Sequence, residues 1–181
     1  MMETYENFNT HVRNLGGDVT ETDFDQRGYH LDVALTVKTV REFAQTAYDH
    51  GFYLVFVTGF HVLPETGEED KTSGLEVVYQ FATFDRLCRV KARVSVPEDL
   101  TVPSICHIYQ GANWHERETR DFYGIRFSDH PNLEPLLLCE EDKDYHPLLK
   151  EEKKLKSLEA VSWSAQRPDT ADMENETSPD V

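Results

Sequence analysis

Cysteine is scarce in this 181-residue chain, and the three present, Cys88, Cys106 and Cys139, form no Cys-x-x-Cys pair. That scatter suits buried thiols in a reducing compartment better than a disulfide framework. An iron–sulfur cluster normally takes four cysteine ligands, so this chain cannot hold one alone. Long apolar runs are also missing. The longest, Phe52 to Val57, is six residues, where a membrane-spanning helix needs about 20. Positive charge is in short supply, with 18 Lys and Arg against 34 Asp and Glu and a net charge of −16. Nucleic acid is therefore excluded as the main partner, because such binders gain affinity from clustered cations that displace counterions. There is no Gly-x-Gly-x-x-Gly after a strand and no Gly-Lys-Ser/Thr phosphate loop, which argues against nucleotide binding. The opening Met-Met-Glu-Thr-Tyr-Glu lacks the basic and apolar regions of a secretory signal, so residence in the cytosol is the expected default.

What remains is one domain's worth of sequence with polar extensions. Tyr5, Phe8, Val12 and Leu15 recur at helical steps and end at Gly16 and Gly17, which predicts a short amphipathic helix. Leu31, Val33 and Leu35 alternate as in a half-buried strand. Thr39 with Glu42 reads as a capping box for a helix whose core face is Val40, Phe43, Ala44 and Ala47, closed at Gly51. The run from Phe52 to Val62 is apolar on both faces, as a central strand would be, and Leu75 to Phe84 is nearly as rich. The polar loop from Pro64 to Ser73 joins them and carries four acids between Glu65 and Asp70. From Leu87 to Val96 the pattern alternates cleanly, with Arg89, Lys91 and Arg93 on the face opposite Cys88, Val90, Ala92 and Val94. One face of that strand must be wet or must meet a partner. The order of elements predicts an α+β domain, a mixed β-sheet of about four to five strands with helices packed on one face. It would run over residues 1–138, followed by a charged extended segment, 139–156, and an acidic, disordered tail, 157–181. From Glu159 that tail holds six acids against Arg167 alone, and Trp163 could anchor it.

After Pro103 a short helical stretch to Tyr109 is expected, a break at Gly111, and then a second capping box in Asn113 and Glu116 opening a helix that Gly124 ends. This helix, Asn113-Trp-His-Glu-Arg-Glu-Thr-Arg-Asp-Phe-Tyr-Gly124, is the most informative part of the chain. Glu116 and Arg120 stand one turn apart, as do Arg117 and Asp121, so two ion pairs can lace its surface. By spacing alone the Glu-Arg-Glu cluster reads as a solvated helical face. Glu116 and Glu118 project about 200° apart on a helix, so they do not form a catalytic carboxylate pair. The spacings of His107, His115, His130 and His146 fit no zinc pattern, and His130 with Pro131 reads instead as a turn.

The segment resembles the signature of the complex I 30 kDa subunit family, the C subunits of NADH-quinone oxidoreductases. That signature is Glu-Arg-Glu, two variable residues, an acid, two apolar or aromatic residues, six more positions, and His or Lys. Here its elements are Glu116, Arg117, Glu118, Asp121, Phe122, Tyr123 and His130, and Trp114, Gly124 and Pro131 also match the family. The close likeness covers roughly residues 101 to 150. Two positions depart from it: Glu134 stands where the family has Arg, Lys or Pro, and Leu149 stands where it has Arg.

The resemblance implies a subunit without catalytic residues, cofactors or metal of its own. It would lie in the hydrophilic arm of a complex I-like enzyme, against the large hydrogenase-like subunit of the 49 kDa type and neighbouring iron–sulfur subunits. Iron–sulfur clusters and flavin, or nickel–iron, would sit on those partners. The location implied is peripheral, on the cytoplasmic face of the cell membrane, which the chain would reach only through the complex. With the whole motif in view, Trp114 to Pro131 becomes an expected contact between subunits, and Arg89, Lys91 and Arg93 a secondary one. The alternatives are the equivalent subunit of a membrane-bound nickel–iron hydrogenase, formate hydrogenlyase or F420H2 dehydrogenase, and a free-standing protein-interaction module.

Overall fold

The computed structural model describes residues 2–62, 74–84 and 88–150, residues 2–5 by backbone alone. The acidic loop at Glu65–Asp70 and the tail with Trp163 lie outside the described residues. Five strands form one mixed sheet: β1 (Asp18–Glu21), β2 (Leu31–Leu35), β3 (Tyr53–Val62), β4 (Gly74–Ala82) and β5 (Arg89–Ser95), in the order β1-β2-β5-β4-β3. Only the β2–β5 pair within it is parallel. Two short strands, β6 (Thr101–Pro103) and β7 (Arg126–Ser128), pair separately and in parallel.

The register puts Leu31, Val33, Val57, Gly59, Val77, Tyr79, Phe81, Val90 and Ala92 on one face. All of them are buried. Three helices, α1 (Met2–Asn14), α3 (Val40–Asp49) and α4 (Ala112–Tyr123), cover this face. Phe8 of α1 meets Phe43 of α3 edge-on, and Phe43 in turn meets Phe81 of β4. The expected core face of α3 is buried throughout, and of its side chains Val40 and Phe43 contribute about 1.5–3 kcal/mol each. Gly16 ends the N-terminal helical segment in a left-handed conformation, φ 82°. A four-residue helix, α2 (Phe24–Arg27), lies between β1 and β2.

Four local expectations need correction. The Phe52–Val62 run is an edge strand rather than a central one, with Tyr53, Val55 and Phe60 exposed; the middle of the sheet is β5, the strand with the cleanest alternation. A sheet covered on one face only needs alternation even at its centre, whereas apolar residues on both faces of β3 leave aromatic surface in the open. The Thr39–Glu42 capping box is not formed, because the Thr39 hydroxyl bonds back to Thr36 N and O across a preceding turn. The helical stretch before Tyr109 is a single turn, closed by Tyr109 N donating to Ile105 O. Lastly, α4 begins at Gly111 with no side-chain cap, since Glu116 turns inward.

Candidate functional site

Helix α4 has three sides with different tasks. Ala112, Glu116 and Thr119 face the core and are buried, and Tyr123 continues that side. Tyr123 lies on Gly59 of β3, where any Cβ would come within 2.4 Å of the ring. Glycine is therefore required at 59 for helix and strand to approach this closely. Gly124 closes the helix in the left-handed region, φ 75°, as expected, and the His146 ring lies where a Cβ at 124 would come within 2.8 Å.

The core side carries a buried carboxylate. Glu116 Oε1 accepts from Ile105 N at 2.9 Å, and Oε2 accepts from the Cys106 thiol at 3.3 Å. Burial pushes its pKa up, opposed by hydrogen bonds from Ser104, Ile105 and Cys106 and by the charge of Arg41. The Cys106 thiol is pushed up to about 12, by burial first and also by Glu116, so it is an unreactive donor. Tyr79, fully buried nearby, is raised well above its ordinary value by burial and then by Glu116 and Cys106. Arg41 fastens the adjoining loops by donating to Ser104 O, Ser128 O and Asp129 Oδ2.

Cys106, Glu116 and His130 bring their ligand-type atoms within 4.8 Å of one another, which is close enough to hold a metal ion. Hydrogen bonding assigns the cluster another role. His130 Nδ1 accepts from Asn132 N at 3.0 Å, which leaves the ring proton on Nε2, directed at Asn113 O 3.2 Å away. A nitrogen bearing a proton offers no lone pair to a cation. Burial holds His130 below its ordinary value despite those two bonds. Cys106 is hydrogen-bonded to Glu116, while His130, 3.9 Å from Glu116 Oε2, separately ties the 129–132 turn to α4 through Asn113 O and sets that turn as the sequence suggests.

The second side of α4 carries Arg117 and Asp121, and neither forms the ion pair expected from spacing. The Arg117 guanidinium donates to Glu134 O at 3.0 Å and to Pro135 O at 2.8 Å. One oxygen of Asp121, Oδ2, accepts from Leu136 N, Leu137 N and Leu138 N, while Oδ1 accepts from Arg120 at 3.1 Å. Burial works to raise the Asp121 carboxyl, but three backbone N–H donors and the Arg120 charge outweigh it and hold the group below its usual range. Arg120 thus pairs with its neighbour Asp121 instead of Glu116. Together Arg117 and Asp121 strap an aperiodic segment along the helix. His146 Nδ1 donates to Asp121 O, Leu148 N to Phe122 O and Lys150 N to His61 Nδ1. The departure at Glu134 meets Arg117 only through its backbone, and its side chain is exposed.

The third side faces outward. Trp114, Glu118 and Phe122 stand four residues apart, with Trp114 70% exposed and the other two half-buried; Pro131 is exposed as well. The motif therefore divides into residues that shape the domain and a short row that presents itself. Cys106, His146 and Arg41 were not anticipated from sequence, because their partners are backbone groups or residues distant in the chain.

On the opposite face of the sheet, Lys91 and Arg93 pair with Asp32 at 3.2 and 3.0 Å, and Arg93 also approaches Glu76. Arg89 stacks over Phe24 instead. No helix of the described residues is long and apolar enough to cross a membrane.

Comparison with known proteins places these features. The chain is 45% identical over 76 residues to the C subunit of NADH-quinone oxidoreductase from Xanthobacter autotrophicus, a match covering 42% of this chain and 36% of that one. Against the protein of the same name from Phenylobacterium zucineum it is 37% identical over 108 residues, 57% of this chain and 46% of the other. The matches thus span less than half of each relative's length. Among solved structures, a trypsin-resistant fragment of Nqo5 is similar with a TM-score of 0.57 and 26% identity, covering 72% of this chain and 99% of the fragment. A chain of the membrane-bound sulfane sulfur reductase, an archaeal respiratory membrane complex, shares the fold with a TM-score of 0.66 at 19% identity, covering 96% of this chain and 98% of that one. The profile described as respiratory-chain NADH dehydrogenase, 30 Kd subunit, matches residues 33–157, and the chain belongs to that family.

Proposed function

We propose that this chain is a cofactor-free structural subunit in the hydrophilic arm of a complex I-like NADH-quinone oxidoreductase. Its partner would be the large hydrogenase-like subunit, with iron–sulfur subunits alongside. The observation that carries this reading is the division of labour within α4. Glu116, Arg117, Asp121 and His130 spend their polar groups on the chain's own backbone, while Trp114 is left out in the open on a rigid helix. A large exposed aromatic on a pre-ordered element is the residue type that anchors protein interfaces, and little entropy remains to be lost when it docks. The inward groups would act by holding the 129–150 segment in shape, so that helix and segment meet the partner as one surface. Electron transfer would run through cofactors of neighbouring chains, with this one bracing them at the cytoplasmic side of the membrane.

A second reading, the same architectural place in another respiratory membrane complex, is favoured by the fold shared with the sulfane sulfur reductase chain and by the departures at Glu134 and Leu149. Both are tested by purifying the tagged full chain from gently solubilised native membranes and identifying its companions by mass spectrometry. A hydrogenase-like large subunit together with NADH-reacting partners is the expected result. The same large subunit with a different set of redox partners would favour the second reading. Recovery of the chain alone would overturn both.

A further inference from the structure

The sheet face turned away from the helices carries a groove of about 510 Å³ lined by Tyr29, Phe56, Phe60, Val78, Arg27 and Arg89, among others. Its walls are largely apolar, and Phe60 is half exposed. Lys91 lies over the Tyr29 ring and Lys150 over the Phe60 ring. A second, smaller cavity lined by Phe24, Tyr53 and Arg89 adjoins it.

The charges in this groove are unusual for so acidic a chain. Arg27, Arg89 and Lys91 line it against Glu76 alone, three positive groups less one negative, a surplus of two. Lys91 and Arg93 are already matched by Asp32 and Glu76. Arg27 and Arg89 are exposed, and among the described residues neither makes an ion pair. A chain with 34 acids had ample means to neutralise them. Two guanidiniums without an ion pair among the described residues, that of Arg89 lying over the Phe24 ring, are complementary to a segment offering carboxylates around an apolar side chain. Charge matching of this kind fixes register and partner choice at an interface, and guanidinium is suited to bidentate capture of carboxylate.

We infer that the open sheet face is a second docking site, separate from α4, for an acidic segment of another protein of the assembly, whose apolar side chain seats between Phe56 and Phe60. This rests on the proposed place of the chain in a multi-subunit assembly and adds the chemistry of one contact. The basic strand expected from sequence to meet a partner would then act through Arg89, with Arg27 of α2 beside it, more than through Lys91 or Arg93.

The test places a photo-reactive benzoylphenylalanine at position 60 of the full chain, in its own host. The complex is isolated and irradiated, and the linked peptide is sequenced. The expected product is a peptide of another protein of the complex with net negative charge within ten residues of the link. Its yield should fall at least ten-fold when Arg27→Glu and Arg89→Glu are combined, with the melting temperature of the free chain unchanged. If companions co-purify but position 60 links to nothing, to a basic segment or to this chain itself, the sheet-face inference fails and the place in the assembly stands. If the full chain co-purifies with no companion at all, both fail.

Discussion

Glu116 and Asp121 are two buried carboxylates five residues apart on one helix, and their surroundings drive them in opposite directions. Glu116 faces the core, where desolvation prevails over its hydrogen bonds and the acid is pushed up. Asp121 is also closed to solvent but lies less deep, and it faces three consecutive backbone N–H groups and a guanidinium, which prevail over desolvation. The charge state of a buried acid is decided jointly by its depth and by the number and strength of the donors aimed at it. The first residue behaves as a shaped polar part of the core, the second as an anionic clasp.

The contrast is broken most forcefully by Asp121→Ala. Three N–H groups of the strap would lose their shared acceptor, and the free chain should lose about 3 kcal/mol in a denaturant titration. Asp121→Asn keeps the shape but removes the charge from bonds that depend on it, at a cost of about 2 kcal/mol. Glu116→Gln should be milder, below about 1 kcal/mol, because the amide oxygen can still accept from Ile105 N while the amide NH2, in the place of Oε2, can donate to the Cys106 sulfur. If the two isosteric changes cost the same, the electrostatic distinction between the residues is wrong.

The pH dependence sharpens the contrast with the smallest effect. A depressed folded pKa means that the stabilisation from Asp121 is present above its unfolded value, near 3.9, and is lost as pH falls through the folded one. A raised folded pKa means the reverse for Glu116: its burial cost is complete above the folded pKa and is relieved as pH falls toward the unfolded value, near 4.3. In thermal melts across that acid range, Asp121→Asn should remove part of the acid loss and Glu116→Gln should remove the offsetting gain. Variants that melt in parallel with the native chain at every pH would refute both assignments.

Much of this fold is readable from sequence because the inner strands of the sheet keep a period of two, which only the edge strand β3 breaks, at Leu54 and Phe56. Leu31 to Leu35 and Cys88 to Val96 reveal their inward sides directly, and α3 reveals its core face through Val40, Phe43, Ala44 and Ala47. Strand order is not readable by the same means. The richest run, Phe52 to Val62, reads as central, whereas its outward aromatics serve an edge beside the open groove. Strand β1 and helix α2 are four residues each, too short for any period to register. In the signature helix the residue types are recognisable but not their directions. Spacing pairs Glu116 with Arg120 and Arg117 with Asp121, and those pairs are pre-empted by backbone groups at 105 and at 134–138. The latter belong to a segment with no periodicity at all, so nothing local announces that it folds back along the helix.

In the proposed role, α4 keeps its two buried acids, Glu116 and Asp121, for the chain itself and offers Trp114 to a partner. The direct measurement is the amount of intact complex recovered from membranes carrying Trp114→Ala, set beside the melting temperature of the same variant as a free chain. Most of the complex should be lost with a melting temperature within about 2 °C of the native chain, as for an exposed side chain with no polar partner among the described residues. Full recovery of the complex with Trp114→Ala would contradict it.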